Sequence, residues 1–253
     1  MCAVNWVEQM DNNNNLLPTD ILEVLEKADI DIEGLVPWGS NYTFLVRLCF
    51  DTQEAQGIYK PRRGERPLWD FPAGTLCQRE RAAFLLSQAL GWNIVPPTIL
   101  RQGPQGHGSL QYFVEHDPDQ HYFTLKGQFA DQTQKIALFD VFINNADRKG
   151  GHVILDQANH LWAIDHGICF HVDYKLRTVI WDFAGSPISS DLTQDMVRLD
   201  TTLSQKDSPL FLDLQKLLSK GEVRALQTRV KNLLELGHFP EPGPGRHYPW
   251  PLV

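Results

Sequence analysis

The stretch DVFINNADRKGGHVILDQANHLWAIDHG, residues 140–167, contains two aspartates that could act together. Two short apolar runs, Val153–Asp156 and Leu161–Ile164, are separated by a QANH turn. Asp147 lies just before the first run, and Asp165 lies just after the second. Because a β-hairpin returns its ends to one place, we expect both carboxylates at its open end, under about 10 Å apart. Two carboxylates among Asn and His suit a divalent cation and a proton acceptor, and they equally suit two aspartates that cap turns.

Residues further upstream could bind phosphate. Ser40 and Asn41 precede a predicted strand, Tyr42–Phe50, and Lys60 ends the next predicted strand, Gln56–Lys60. Small residues in such a turn can leave backbone N–H groups free to meet a phosphate, and a lysine there can reach it as a point charge. The alternative is an edge-strand lysine with its head in water. The sequence has no GxxxxGK[ST] phosphate-binding motif.

Two stretches, Gln78–Leu90 and Asp131–Asn144, have the apolar periodicity of amphipathic helices. The second leads the chain directly into the stretch with the two aspartates. Glu80 lies in the first turn of the first helix, where the helix dipole favours a carboxylate. It could instead form an ion pair that holds Lys60 in position, and the residues leave both interpretations open.

The composition restricts the classes of protein to consider. The formal net charge of −8 argues against a nucleic-acid binder, and 42% hydrophobic residues support a real core. No apolar run approaches the length of a transmembrane segment, and the N-terminus lacks the pattern of a signal peptide. The four cysteines are scattered without a CxxC pair, which is typical of reduced thiols, so we expect a cytoplasmic protein.

The expected organisation is a large domain with two lobes. We predict a loose tail at 1–17, a first lobe at 18–116, a second lobe at 117–237, and a Pro/Gly-rich C-terminal tail at 238–253 that lies extended on the surface. Within the first lobe, Arg101–Ser109 is expected to be mobile and Leu110–Glu115 to form a strand. Helices are expected over Pro209–Leu218 and Glu222–Leu236.

Four histidines in and after the two-aspartate stretch lie close enough in sequence to suggest zinc: His152, His160, His166 and His171. Their spacings match no closed zinc set. Structural histidines, or histidines that line a site, are the favoured interpretation.

The order of these features resembles the protein-kinase-like superfamily. The phrases GSNYTFLV, GIYKPRRGERPLWDFPAGTL, RERAAFLLSQALGW, VPPTILR, NNADRKGGHV and AIDHG resemble the phosphatidylinositol 3-/4-kinase-related family. The resemblance covers about residues 34–190 and is strongest to type II phosphatidylinositol 4-kinases and a bacterial kinase-like family, and more distant to HipA-like kinases. It implies an α+β, bilobal protein-kinase-like fold with a sheet-rich N-lobe and a helical C-lobe.

The resemblance also implies how ATP would be bound. Lys60 resembles the lysine that pairs with the phosphates, and Glu80 resembles its ion-pair partner. Ser40 and Asn41 match the loop that covers the phosphates. The hinge that meets adenine would be formed by Val114, Glu115 and His116.

By the same resemblance, Asp147 is the catalytic-loop aspartate that orients or deprotonates the accepting hydroxyl. Asp165 is the aspartate that binds Mg²⁺ or Mn²⁺. Such kinases carry a metal-binding Asn five residues after the catalytic aspartate, where this chain has His152. An imidazole suits magnesium poorly and softer ions better, so His152 is a candidate ligand at a site for manganese or a single metal. His166 in the Asp-x-Gly motif is a milder departure.

The function that the resemblance implies is transfer of the γ-phosphate of ATP to a hydroxyl of a protein, lipid or small molecule. The acidic chain and the lack of a Cys-rich palmitoylation segment argue against a membrane lipid. The alternatives are a nucleotide-binding pseudokinase or interaction module without transfer, and a nucleotidyl transferase with the same fold.

Overall fold

The chain folds as two compact units in the computed structural model, which describes residues 18–36 and 41–253. The first, here the sheet unit, contains the described residues up to Arg66 together with Pro97–Phe113. The second, here the helical unit, contains Pro67–Pro96 and Val114–Val253. The predicted tail at 1–17, and Ser40, lie outside the described residues. The lobe boundaries at 116 and 237 stay predictions.

The sheet unit is built on a five-stranded antiparallel sheet with the strand order β1-β2-β3-β5-β4. The strands are β1 Asp29–Leu35, β2 Phe44–Phe50, β3 Gln53–Pro61, β4 Thr98–Gly103 and β5 Gly106–Tyr112. Helix α1, Pro18–Lys27, contributes Val24 and Leu25 to the core of this unit. The strands predicted at Tyr42–Phe50 and Gln56–Lys60 are confirmed as β2 and β3.

The prediction that Arg101–Ser109 is mobile is wrong, because these residues belong to the β4–β5 hairpin. Gly106 has φ +99°, a backbone conformation that other residues rarely adopt. Gly108 lies so close to β3 that a Cβ would sit 2.3 Å from the carbonyl oxygen of Lys60. The glycines that suggested mobility are therefore required by the turn and by the close approach of two strands.

The helical unit carries most of the helices. They are α2 Leu76–Ala89, α3 Tyr122–Leu125, α4 Ala130–Ile143, α5 Ser190–Ser204, α6 Pro209–Leu217 and α7 Lys220–Leu236. The predictions for α2, α4, α6 and α7 are confirmed to within a turn or less. Within the residues that the structure describes, no helix is both long and apolar enough to cross a bilayer. With the sheet in one unit and these helices in the other, the predicted α+β class is confirmed.

Helix α5 is absent from the helices predicted from sequence. Its buried residues recur at intervals of three and four: Leu192, Met196, Leu199 and Leu203. Ser189 caps the helix by accepting a hydrogen bond from the Leu192 N–H at 3.4 Å. The periodicity and the cap were both present in the sequence, so this helix was predictable.

The hairpin predicted between the two aspartates is confirmed. Its strands are β6 Val153–Leu155 and β7 Leu161–Ala163, which pair antiparallel. In the turn, Asp156 Oδ1 accepts hydrogen bonds from the N–H groups of Ala158 and His160 at 2.9 and 2.8 Å. This local closure explains why so short a hairpin could be identified from sequence.

A buried ion pair joins α2 to the start of α7. Arg79 Nη2 lies 2.6 Å from Glu222 Oε1, and both side chains are almost fully buried. Burial opposes ionisation of Glu222, but the charge of Arg79 and hydrogen bonds from Ser219 outweigh it and lower the pKa of this carboxyl below its usual value. The pair therefore ties two helices together as long as Glu222 is ionised.

We expect Glu222→Gln to lower the free energy of unfolding by roughly 1.5–3 kcal/mol at pH 7. Because the pKa is lower in the folded state, the stabilisation is complete above the unfolded pKa and is lost as the pH falls through the folded pKa. The difference in Tm between wild type and variant should therefore shrink below about pH 4. Exposed Glu235→Gln, on the same helix, is the control. A Tm difference that stays constant down to about pH 3 would contradict this assignment.

Candidate active site

The end of α4 fixes the backbone that follows Asp165. Asn144 ends the helix in the left-handed conformation, φ +51°, which Asn tolerates better than most residues. Its Nδ2 donates to the carbonyls of His171 and Asp173 at 3.0 and 2.7 Å, and its Oδ1 accepts from the Lys175 N–H at 2.8 Å. These three hydrogen bonds connect the helix end to the segment at 171–175.

Asp147 lies in the loop directly after this helix end. Its N–H donates to Asn145 Oδ1 at 3.0 Å, and its Oδ2 is 3.2 Å from Lys149 Nζ. Burial raises the pKa of Asp147 above its usual value; Lys149 and Arg246 oppose the rise, and the charge of Asp165 adds to it. A carboxylate with a raised pKa is a better proton acceptor than an exposed one.

Asp165 faces His152 at the open end of the hairpin. Asp165 has φ +60°, a strained conformation for this residue, and its side chain is half exposed. His152 Nε2 lies 3.4 Å from Asp165 Oδ2, while His152 Nδ1 lies 3.0 Å from the backbone oxygen of Asp147. The structure thus gathers Asp147, His152 and Asp165 in one place, as the hairpin argument predicts.

The chemistry of these donors fits a cation. His152 Nδ1 lies 3.0 Å from the Asp147 carbonyl oxygen and 3.5 Å from the Lys149 backbone nitrogen, so the ring has a partner there in either tautomer. Its Nε2 faces a carboxylate oxygen of Asp165, an arrangement that a proton or a metal ion between them would stabilise. Asp165 and His152 would hold the ion, and an oxygen–imidazole pair accommodates Mn²⁺ better than Mg²⁺.

The zinc hypothesis receives no support. Among residues 18–36 and 41–253, no group of three or more His, Cys, Asp or Glu side chains is placed to hold a metal ion. His160 Nε2 instead lies 3.0 Å from the carbonyl of Asn93, and His171 Nε2 lies 2.9 Å from that of Asp70. These two histidines have structural roles.

Glu80 reaches the loop around Asp165 from α2. Its side chain is buried, and Oε2 accepts a hydrogen bond from the His166 N–H at 2.9 Å. The carboxylate therefore fixes the backbone of the residue next to Asp165. Its predicted partner, Lys60, belongs to the sheet unit, so the ion pair between them stays a prediction.

Arg148 is the residue that sequence reasoning missed. It is fully buried and donates to Asp140 through Nε and Nη2 at 3.0–3.2 Å. Its Nη1 donates to the carbonyls of His152 and Ile164 at 3.0 and 2.8 Å, and its Nη2 to His166 Nε2 at 2.8 Å. One guanidinium thus connects the loop after Asp147 with the loop around Asp165.

A signal for Arg148 was present in the sequence. Asp140 sits in the most apolar part of α4, among Phe139, Phe142 and Ile143, where a carboxylate is seldom found without a partner. The next arginine along the chain is Arg148. The positive charge of Arg148 and the apolar surroundings of Asp140 together predict this ion pair.

Asn41 and Lys60, two of the predicted phosphate-binding residues, lie in the sheet unit. Asn41 Oδ1 accepts a hydrogen bond from the Arg66 N–H at 2.7 Å, so this side chain closes a loop within the unit. Lys60 lies on β3, paired with Ser109 on β5. Their contacts with ATP stay predictions, as does that of Ser40.

The predicted hinge begins where the helical unit resumes. Strand β5 ends at Tyr112, so the expected strand to Glu115 is too long. Val114 is buried, and its carbonyl lies 2.8 Å from His116 Nδ1. The contact of these residues with adenine stays a prediction.

A known family matches the part of the chain that carries these loops. A family profile described as phosphatidylinositol 3- and 4-kinase matches residues 97–220, a stretch that includes Asp147, His152 and Asp165. Lys60 and Glu80 precede it. The match therefore covers the loops described above and not the predicted lysine–glutamate pair.

Two curated proteins and one solved structure are similar to the chain. Protein Rv2133c of Mycobacterium tuberculosis is 37% identical over 263 residues, covering 90% of this chain and 94% of that protein. Phosphatidylinositol 4-kinase gamma 4 of Oryza sativa subsp. japonica is 31% identical over 122 residues, 41% of this chain and 22% of that protein. The Helicobacter pylori proinflammatory kinase CtkA has a TM-score of 0.46 and 12% identity, covering 84% of this chain and 93% of that chain.

The profile match and the rice relative agree with the family predicted from the sequence. The profile match spans the stretches around Asp147 and Asp165, on which part of the prediction rested. The chain belongs to the phosphatidylinositol 3-/4-kinase-related family.

Proposed function

We propose that the protein is an ATP-dependent phosphotransferase that transfers the γ-phosphate to a hydroxyl of a protein, lipid or small molecule. The observation that carries the proposal is that His152 contacts both the Asp147 backbone and the Asp165 carboxylate, while Glu80 binds the N–H of the residue next to Asp165, all within the helical unit. Phosphoryl transfer needs positioned charges more than covalent chemistry, and this arrangement supplies them.

In this proposal Asp147 orients the accepting hydroxyl and takes its proton. Its position after a rigid helix end, with the N–H bonded to Asn145, restricts where the carboxylate can point. The raised pKa, which burial causes, makes the carboxylate a better proton acceptor than an exposed aspartate. Lys149, with Nζ 3.2 Å from Asp147 Oδ2, opposes part of that rise.

ATP and a divalent cation are the proposed cofactors. Asp165 and His152 would hold Mg²⁺ or Mn²⁺, and the ion would offset the charge of the phosphates. Ser40, Asn41 and Lys60 are the residues proposed to bind the phosphates. The hinge residues that meet the base are Val114, Glu115 and His116.

Binding of nucleotide with metal is the experiment that tests this proposal. ATP with Mg²⁺ or Mn²⁺ should raise the Tm of the wild type by mass action. Asp165→Ala should lose the metal-dependent part of that rise. Asp173→Ala removes a nearby, largely exposed carboxylate and should behave as the wild type does. If no nucleotide raised the Tm of the wild type, the proposal would be refuted.

His152 should determine which metal is used. An asparagine oxygen suits Mg²⁺ better than an imidazole nitrogen does. For each metal, the quantity of interest is the concentration that gives half-maximal nucleotide binding. We expect His152→Asn to lower this concentration for Mg²⁺ by about tenfold relative to the corresponding concentration for Mn²⁺. The measurement is a titration of each metal at fixed ATP, and an unchanged Mn²⁺/Mg²⁺ ratio would show that His152 is not a ligand.

A second candidate function is nucleotide binding without transfer. The contact of His152 with Asp165, at the position where the family pattern has Asn, favours it. Nucleotide-dependent stabilisation with no consumption of ATP under either metal would identify this function. A nucleotidyl transferase would instead leave a nucleotide adduct, which mass spectrometry distinguishes from a phosphate adduct.

The chain's thiols agree with a cytoplasmic location, which we also propose. Cys77 and Cys169 are buried, whereas Cys49 is partly exposed. Burial raises the pKa of the Cys169 thiol well above its usual value, so this group stays protonated and unreactive. Thiols of this kind suit a reducing compartment.

A further inference from the structure

The segment Arg246–Val253, RHYPWPLV, was expected to lie extended on the surface, and it is anchored there by specific backbone contacts. The carbonyl of His247 accepts from the Thr178 N–H at 3.1 Å and from the Trp181 indole N–H at 3.2 Å. The carbonyl of Leu252 accepts from the Gly150 N–H at 2.7 Å. The segment is thus fixed near both of its ends.

Gly150 is packed tightly against Phe123, because a Cβ there would lie 2.8 Å from the ring. The same Cβ would lie 3.4 Å from the Leu252 carbonyl oxygen, and a Cβ on Gly151 would meet a Val253 methyl at 3.8 Å, which are ordinary van der Waals distances. The 246–253 segment therefore packs against both glycines, and its hydrogen bond with the Gly150 N–H at 2.7 Å is its specific contact with this turn.

This turn connects Asp147 to His152. Lys149, the ion-pair partner of Asp147, precedes it, and its carbonyl accepts from the His152 N–H at 3.2 Å. A shift of Gly150 would therefore move both the proposed base and the proposed metal ligand. Arg246, at the other end of the segment, is close enough to Asp147 for its positive charge to oppose the rise in the pKa of that carboxyl.

We propose that the 246–253 segment is a positioning element of the active site: its Leu252 carbonyl clamps the Gly150–Gly151 turn and so sets the geometry of Asp147 and His152. This inference rests on the proposed phosphotransfer. The segment acts through its backbone, since Leu252 and Val253 have largely exposed side chains. Displacing catalytic groups by about 1 Å can cost about 100-fold in rate.

Deleting Leu252 and Val253 tests the proposal, because it removes the clamp without removing core side chains. The double substitution Leu252→Ala/Val253→Ala is the matched control, since it keeps the carbonyl. Four quantities should be measured in each protein: hydrogen exchange at the Gly150 amide, kcat and KM for intrinsic ATP hydrolysis, and Tm.

We expect the deletion to speed exchange at Gly150 and to lower kcat by about 10- to 100-fold, with KM for ATP and Tm unchanged. The alanine control should match the wild type. Unchanged kcat in the deletion would overturn the inference while leaving phosphotransfer intact. A fall in Tm that accounts for the lost activity would also overturn it, because the segment would then be a stability element only. If the wild type showed no turnover of ATP, both the proposed function and this inference would be refuted.

Discussion

Replacing Asp147 with asparagine should lower ATP turnover by about 10²- to 10⁴-fold, the usual contribution of a general base, and should leave nucleotide binding intact. The asparagine keeps the size of the side chain and removes its ability to accept a proton. Steady-state turnover and the nucleotide-dependent rise in Tm, measured on the same samples, separate these two effects. Asp173→Asn, on a largely exposed carboxylate, is the matched control.

The same variant should be at least as stable as the wild type at pH 7. Burial raises the pKa of Asp147 in the folded state, so its contribution to stability is greatest below the unfolded pKa and declines as the pH rises through the folded pKa. A neutral asparagine avoids the cost of a half-buried charge. Full turnover by Asp147→Asn would refute the assigned role, and a large fall in Tm would show that the carboxylate is structural.

Replacing Arg148 with methionine should lower the free energy of unfolding by about 3–5 kcal/mol, because it leaves the Asp140 carboxylate buried without its cation. A loss of that size is a large share of the roughly 5–15 kcal/mol that holds an ordinary domain together. The carbonyls of His152 and Ile164 would also lose a donor, so we expect turnover to fall with stability. Denaturant unfolding measures the first effect.

Two further variants make this prediction specific. Arg198→Met removes an exposed ion pair with Asp195 and should cost less than about 1 kcal/mol. Asp140→Leu combined with Arg148→Met should recover part of the stability, because no unpaired charge remains buried. Turnover should not recover in the double variant, since the hydrogen bonds to the two loops are still missing. A loss below about 1 kcal/mol in Arg148→Met would contradict the central place given to this guanidinium.

The parts of the fold that were predictable are those that local sequence determines. Helix α4 has a continuous apolar pattern, and the turn at Asp156–His160 closes through its own side chain. A hairpin that short places its flanking residues together whatever the rest of the chain does. The meeting of Asp147 and Asp165 could therefore be predicted from the amino-acid sequence alone.

The features that escaped prediction depend on partners that are distant in the chain or on weak local signals. Strand β1, DIDIEGL, is a largely exposed edge strand, so its acidic sequence hides its pairing with β2. The contact of Leu252 with Gly150 joins residues about a hundred positions apart, and no periodicity reports it. Arg148 was overlooked because a buried arginine is rare, although Asp140 in an apolar helix indicated it.

The products formed from ATP test the central claim most directly. The wild type, incubated with ATP and Mn²⁺ or Mg²⁺, should release ADP, and Asp147→Asn should release about 10²- to 10⁴-fold less. Chromatography of the nucleotides distinguishes the outcomes. Unchanged ATP despite nucleotide-dependent stabilisation would identify a binding protein, and AMP or pyrophosphate in place of ADP would identify nucleotidyl transfer; either result would contradict the proposed phosphotransferase.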